Sequence, residues 1–511
     1  MKKRCRLSFW LGAVLLPVAW LAASSLAVRP STGGSPREDG APSPLDGAAR
    51  PTAVSPRAES RNGSATEGIR PPSWVVNYQG FFPSIPQWVE SDVPVAMVSP
   101  GDGRVVIAGT ASHRSDKTYD QIDNILVLGL GPAGSLDWKV LYPSDPYRRC
   151  NYLTQAVIGT RDKGYLVLAT REDRISSNGA PEPMLMKLNV DGTIAWIRSY
   201  QLAGGTAAFA SALTELIDGR LAVAASAWDK SGPLIWTFIA DPAGNVLWSE
   251  CLRSARRVGE TAARAIWSAE DGGFILAGSS AAGNAEVFEF GPSGAIEWQT
   301  SLSDKSLDGY QTACEVRGLA PARDGGYFLA GKTRSYNDRE ARVDDWLAKV
   351  DGNGNLLWQE GVWGSSDVLN MVPTSDGGFL YCGRNVVWFD AQGQSGSQRS
   401  CNSSNFVAAL PYAPSGFVLA GAEPLDSYSR FRINAFLTNE YTVLDDNCVL
   451  IYSGNAYSKD WQVESVPPTP LTVVNHQARQ ENLAFIPYDR PGRVNTVCPQ
   501  DPSGMLIRSL K

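Results

Sequence analysis

The sequence predicts an all-β fold: a β-propeller of four-stranded antiparallel blades, seven in number, with six or eight as alternatives. Three observations predict it. An acidic-Gly turn followed by an apolar run recurs along the chain. A Gly-to-Trp spacing recurs in step with it. Helical periodicity is absent over long stretches.

The first column reads DGRVVIAG at 102–109, DKGYLVLA at 162–169 and DGRLAVAA at 218–225. It continues as DGGFILAG at 271–278, DGGYFLAG at 324–331 and DGGFLYCG at 376–383, with a degenerate PSGFVLAG at 414–421. The first six copies start 60, 56, 53, 53 and 52 residues apart, and the last step is 38. In the second column a Gly is followed four residues later by Trp. The pairs are Gly134 with Trp138, Gly192 with Trp196, Gly244 with Trp248, Gly294 with Trp298 and Gly354 with Trp358. The sixth copy keeps Gly393 and has Ser397 in the Trp place.

One unit reads as two hairpins. In the fifth, residues 317–322 are the first strand, and Asp324-Gly325-Gly326 turns the chain, since Gly adopts positive φ cheaply. Residues 327–332 are the second strand, 333–345 a polar loop, 346–350 the third strand and 355–361 the fourth. Four short strands per roughly 50 residues is the size of a propeller blade. Gly109, Gly278, Gly331, Gly383 and Gly421 end the second strand, where a small residue lets a neighbouring blade approach. Trp138, Trp196, Trp248, Trp298 and Trp358 are expected to be buried between sheets, each worth about 2–3 kcal/mol.

Units begin near 93, 152, 208, 262, 315, 367 and 405. Residues 85–90, with Trp88, sit where the fourth strand of a preceding unit belongs. They are expected to complete the last blade and so remove the free edges. The rival fourth strand is 448–453. The propeller is then 74–454, and 455–511 is a C-terminal extension or a further partial blade. Residues 471–475 and 482–486 look strand-like there.

Units four and five carry a likeness. DGGYFLAG, then DWLAKVD at 345–351, then GNLLW at 354–358 resembles the extracellular propeller repeats of bacteria and archaea, whose units look like DGGYILAG…DxWLxKxDxxGNxxW. The resemblance covers residues 93–440. It implies the fold and no particular activity. A more distant likeness is to quinoprotein propellers, which share a Gly-x-x-x-Trp docking motif. Their usual Thr before the Gly is missing here, with Ser293 the nearest substitute.

Lys2, Lys3, Arg4 and Arg6 precede an apolar run at 7–27 that ends in small residues. Residues 1–27 therefore read as a signal peptide, with an uncleaved anchor as the alternative. Residues 28–73, rich in Pro, Ser, Gly and Ala, read as a disordered tether. The expected location is secreted, periplasmic or cell-surface, with no transmembrane span once the signal is removed. Residues 1–73 hold ten basic and five acidic residues; against a whole-chain net charge of −6, the body carries −11. No basic footprint for nucleic acid exists. After cleavage seven cysteines remain, at 150, 251, 314, 382, 401, 448 and 498. Cys382 with Cys401, and Cys448 with Cys498, are the candidate disulfides in an oxidising compartment.

Chemistry is sparse. His113 and His476 are the only histidines, which argues against a multi-histidine metal centre. No nucleophile elbow, P-loop or zinc motif occurs. The adjacent pairs Asp344-Asp345 and Asp445-Asp446 point to opposite faces of a strand and form no ready dyad. Asp351-Gly-Asn-Gly-Asn355 has oxygen ligands at alternate positions but lacks the terminal Glu of a calcium loop; turn chemistry explains it equally well. Arg253, Arg256 and Arg257 are too few for a nucleic-acid patch. No catalytic residue, cofactor or metal is assigned. The stretches between strands two and three, 111–123, 171–183, 333–345 and 423–432, are where recognition would sit. The expected function is non-catalytic recognition or scaffolding of a glycan or protein. The alternative is a secreted polysaccharide lyase, hydrolase or quinone-dependent dehydrogenase.

Overall fold

A computed structural model describes residues 74–80, residues 90–439 apart from short connections, and six strands within 451–498. Each of the first six sequence units supplies four strands joined as a meander, and the seventh supplies three. In unit one these are Glu90–Val98, Val105–Arg114, Gln121–Leu130 and Leu136–Tyr142, all antiparallel. The first strands of the later units are Cys150–Gly159, Gly205–Glu215, Ala262–Ser268, Gln311–Pro321, Asn370–Pro373 and Asn405–Tyr412. These strands neighbour one another in chain order, and the last lies against Glu90–Val98, so they form a closed ring. The fold is thus an all-β propeller of four-stranded antiparallel blades.

Seven separate blades were expected. Among the described residues hydrogen bonding makes six sheets. The difference lies between units four and five. Ile296–Lys305 runs on far enough to pair with Gln311–Pro321, through Asp304 with Thr312 and Lys305 with Gln311. Two meanders therefore fuse into one ten-stranded sheet.

Ring closure uses an N-terminal strand, but not the expected one. Trp74–Gly80 pairs antiparallel with Phe431–Asn439 and completes the last unit. Residues 85–89 lie outside the described residues, and Glu90 begins the first strand of unit one. The rival also fails. Ile451–Asn455 pairs with Ser395–Cys401 of unit six instead.

The described strands of 451–498 make no further blade. They follow the rim in reverse order, each added antiparallel to an outer edge. Ile451–Asn455 caps unit six, Tyr457–Asp460 unit five and Val463–Val466 unit four. Leu471–Val474 then caps unit three and Ala478–Asn482 unit two. Gly492–Cys498 finally pairs with the closing strand Trp74–Gly80. Covering edge strands satisfies their exposed N–H and C=O groups and blocks edge-to-edge association.

The core is divided. Each apolar cluster lies between two successive units, and one joins the last unit to the first through Val407, Val418, Leu126 and Leu128. The Trp column was expected to be buried; it is half-buried at the rim. Each Trp lies on the turn glycine of the following unit. A Cβ on Gly192 would stand 2.5 Å from Trp138, one on Gly294 2.5 Å from Trp248, and one on Gly354 2.5 Å from Trp298. Trp298 Nε1 also donates to Gly352 O at 3.1 Å. Gly393 receives Trp358, which explains why it persists where unit six has lost its own Trp. Among the described residues the largest fully buried side chains are Trp236 and Trp346, on third strands. Trp236 Nε1 donates to Ser249 Oγ at 2.9 Å and Trp346 Nε1 to Gln359 Oε1 at 3.3 Å.

The proposed bridge between Cys382 and Cys401 is overturned. Cys382 is a free, buried thiol on Phe379–Cys382, and Cys401 lies two strands away in the same sheet. Two strand spacings are about 10 Å, beyond disulfide reach. Cys448, and the side chain of Cys498, lie outside the described residues. Cys150 and Cys251 are also free and buried, and Cys314 is buried.

Candidate functional site

The first strand of each unit neighbours the first strands of the adjacent units, so these strands lie innermost in the ring and their exposed side chains open on the central channel. Most of them carry a β-bulge at the same place. The register shifts between Pro94 and Ala96, Thr154 and Ala156, Ala210 and Ala212, Ala263 and Ala265, Val316 and Gly318, and Phe406 and Ala408. The extra residues are Val95, Gln155, Ser211, Arg264, Arg317 and Val407. Each stands seven positions before the first residue of its turn motif. A bulge bends the strand and re-aims a side chain.

The small-residue column stands opposite these bulges. Gly109 pairs with Pro94, Gly278 with Ala263, Gly331 with Val316 and Gly421 with Phe406. The reason differs from the expected one. The nearest obstacle is the unit's own first strand, not a neighbouring blade. A Cβ on Gly109 would meet Val93 O at 2.3 Å, and one on Gly331 would meet Glu315 O at 2.0 Å. The next unit is reached through the carbonyl: Thr154 Oγ1 donates to Gly109 O at 2.6 Å, and Phe406 N to Gly383 O at 3.0 Å.

Two bulge positions hold arginine, and a carboxylate lies between them. Arg264 Nη2 is 3.0 Å and Arg317 Nη2 is 2.9 Å from Glu315 Oε1. All three side chains are roughly a quarter exposed. Lys332 stands opposite Glu315 in the strand register. Sequence reading missed this cluster, because Arg264 and Glu315 belong to different units and only the ring brings them together. The shared offset before the turn was the signal available.

Other polar groups are locked into structural networks. Asp123 accepts from Ser112 Oγ at 2.6 Å and Gln121 Nε2 at 2.9 Å, and meets Asn151 of unit two at 3.5 Å. Arg171 binds Glu182 and lies by Cys150, Tyr142 and Tyr152, whose rings meet edge-on at 5.0 Å. Burial pushes both phenols and the Cys150 thiol up, so none ionises readily. Cys251 and Cys382 are pushed up to about 12 by burial. Asp345 accepts from Tyr381 OH of unit six; the side chain of Asp344 is not among the described ones.

The turn acid Asp351 accepts from Asn355 N at 2.8 Å, Asn353 N at 2.9 Å and Asn355 Nδ2 at 2.9 Å, the geometry of a capped turn. Among the described residues no three His, Cys, Asp or Glu side chains converge on a metal position. The His113 backbone lies in Val105–Arg114, paired with Glu90 and Ile122, while its side chain, like all of His476, falls outside the described residues. Arg253 pairs with Asp229; Arg256 and Arg257 are likewise outside. The expected loop 333–345 is largely strand. Tyr327–Asn337 and Glu340–Val350 pair out to Asn337 with Glu340. Among the described residues no helix is long and apolar enough to cross a membrane.

No protein-family model and no curated protein matches the chain. Among solved structures it is similar to the Dos1 propeller, at 9% identity and TM-score 0.42 over 71% of this chain and 95% of that one. It is similar to a protein of unknown function from Dyadobacter fermentans, at 9% and 0.42 over 73% and 100%. It is also similar to the polysaccharide lyase Uly1, at 8% and 0.40 over 73% and 98%. The propeller assignment rests on the strand pairing itself.

Proposed function

We propose that the protein is an exported propeller that recognises a glycan or protein ligand at its central channel without transforming it. One observation carries this reading. The bulge and the small residue opposite it recur from unit to unit, while the bulged side chain changes: Val95, Gln155, Ser211, Arg264 and Arg317 are partly exposed, and the Val407 side chain turns into the core instead. A constant frame presenting variable side chains around one axis suits recognition. A second reading, a lyase or hydrolase, is favoured by Glu315, a channel carboxylate flanked by two guanidinium groups.

The test incubates purified protein with soluble and insoluble polysaccharides and with envelope extract. Depletion of the protein and new reducing or unsaturated ends are read from the same tubes. Depletion or capture without products is expected. New ends that vanish in Glu315→Gln would overturn the non-catalytic reading.

A further inference from the structure

We infer that the channel site formed by Arg264, Glu315 and Arg317 binds a carboxylate-bearing sugar, of the uronic-acid type. This inference rests on the recognition reading above and narrows it to one ligand class.

Two bulges of equivalent position aim guanidinium groups from adjacent units at one point. There they already hold a carboxylate, that of Glu315, at 3.0 and 2.9 Å. Guanidinium is planar, always charged and suited to binding carboxylates at two points. At the described ion pairs two arginines face one glutamate, and Lys332 lies opposite in register. That positive spot sits in a body of net charge −11, so it is not part of a general basic surface. Donor capacity remains: Arg317 Nε is a buried N–H with no hydrogen-bond partner among the described residues. A buried donor left unmade is costly, and an incoming acceptor would relieve that cost. A monocarboxylate lowers the cluster's positive charge. Glu315 then acts as a spacer that fixes the guanidinium planes, and also as a brake, because it competes for the same donors.

Titration calorimetry with full-length protein tests this with three probes: a tetragalacturonate, the uncharged maltotetraose, and free acetate. The variants are Arg264→Gln, Arg317→Gln and Glu315→Gln, each checked for an unchanged thermal melt. The tetragalacturonate is expected to bind, and each arginine variant to weaken it about tenfold or more. Glu315→Gln is expected to strengthen binding, a sign that a merely structural ion pair would not give. Raising salt should weaken binding.

Equal binding of tetragalacturonate and maltotetraose would overturn the acidic class and leave recognition standing. Acetate binding as tightly as the tetrasaccharide would overturn the sugar and keep the anion. No binding of either sugar by folded protein would overturn this inference. Recognition as such would then fall only if the polysaccharide panel and the extract were also negative. Should one arginine variant prove misfolded, the other arginine and Glu315→Gln still decide the matter.

Discussion

Gly325 and Gly354 have nearly the same backbone conformation, φ +82° and +80°, and opposite surroundings. Gly325 would present a Cβ to open space, whereas Gly354 would drive one into Trp298 at 2.5 Å. Gly325→Ala is therefore expected to cost only the left-handed strain of about 1–2 kcal/mol. Gly354→Ala should cost about 3 kcal/mol or more, because overpacking at the Trp298 ring adds to the strain. Chemical denaturation of the two variants checks this, and equal losses would show that the indole does not dock there. Both glycines were legible in the sequence, since each sits at fixed spacing from its own turn. The partner of Gly354 was not. Its Trp belongs to the preceding unit, and local spacing alone pointed to the Trp of the same unit.

In units two and five the third strand is tied to the acidic-Gly turn by a buried lysine. Lys187 Nζ donates to Asp162 Oδ1 at 2.7 Å and Thr160 Oγ1 at 2.6 Å, and Lys349 Nζ to Asp324 Oδ2 at 2.6 Å. Lys349 also lies over the Phe328 ring, 5.1 Å from its centre. Burial alone would raise Asp162, but hydrogen bonds from Lys187, Thr160 and the Gly164 backbone outweigh it, and the carboxyl falls to about 2. The Lys349 hydrogen bond likewise lowers Asp324. A carboxyl lowered in the folded state adds stability above its unfolded value. That stability is lost as pH falls through the folded value. For Asp162 the window runs from about pH 4 down to about pH 2. Thermal melts of wild type and Lys187→Met across that window should converge as pH falls. Parallel curves would mean that the pair contributes nothing measurable. The lysine column was visible in the DxWLxKxD pattern, and its partner became clear only in three dimensions. The bulges were half legible. The small residues announced a close approach, but a bulge is a register event between two strands, and one strand's pattern does not show it.

At the scale of the whole molecule, the rim strands in 451–498 were the least legible part. They are short, and they follow no repeat. Their pairing is set by the open edges they meet, not by a pattern of their own. Chain termination after residue 450 should strip the added strands from units two to six and from the closing strand. The expected result is a lower melting temperature and concentration-dependent association by light scattering, since bare edges recruit other chains. A monomer of unchanged stability would show the girdle to be dispensable. The closing strand has a further consequence, one of timing. Trp74–Gly80 is made early, yet it needs Phe431–Asn439 on one side and Gly492–Cys498 on the other. About 350 residues of synthesis separate it from the nearer partner, roughly 20–70 s at ordinary elongation rates. Throughout that delay the first strand of the fold is a waiting end, so the circle is tied by its oldest segment and cinched by one of its newest.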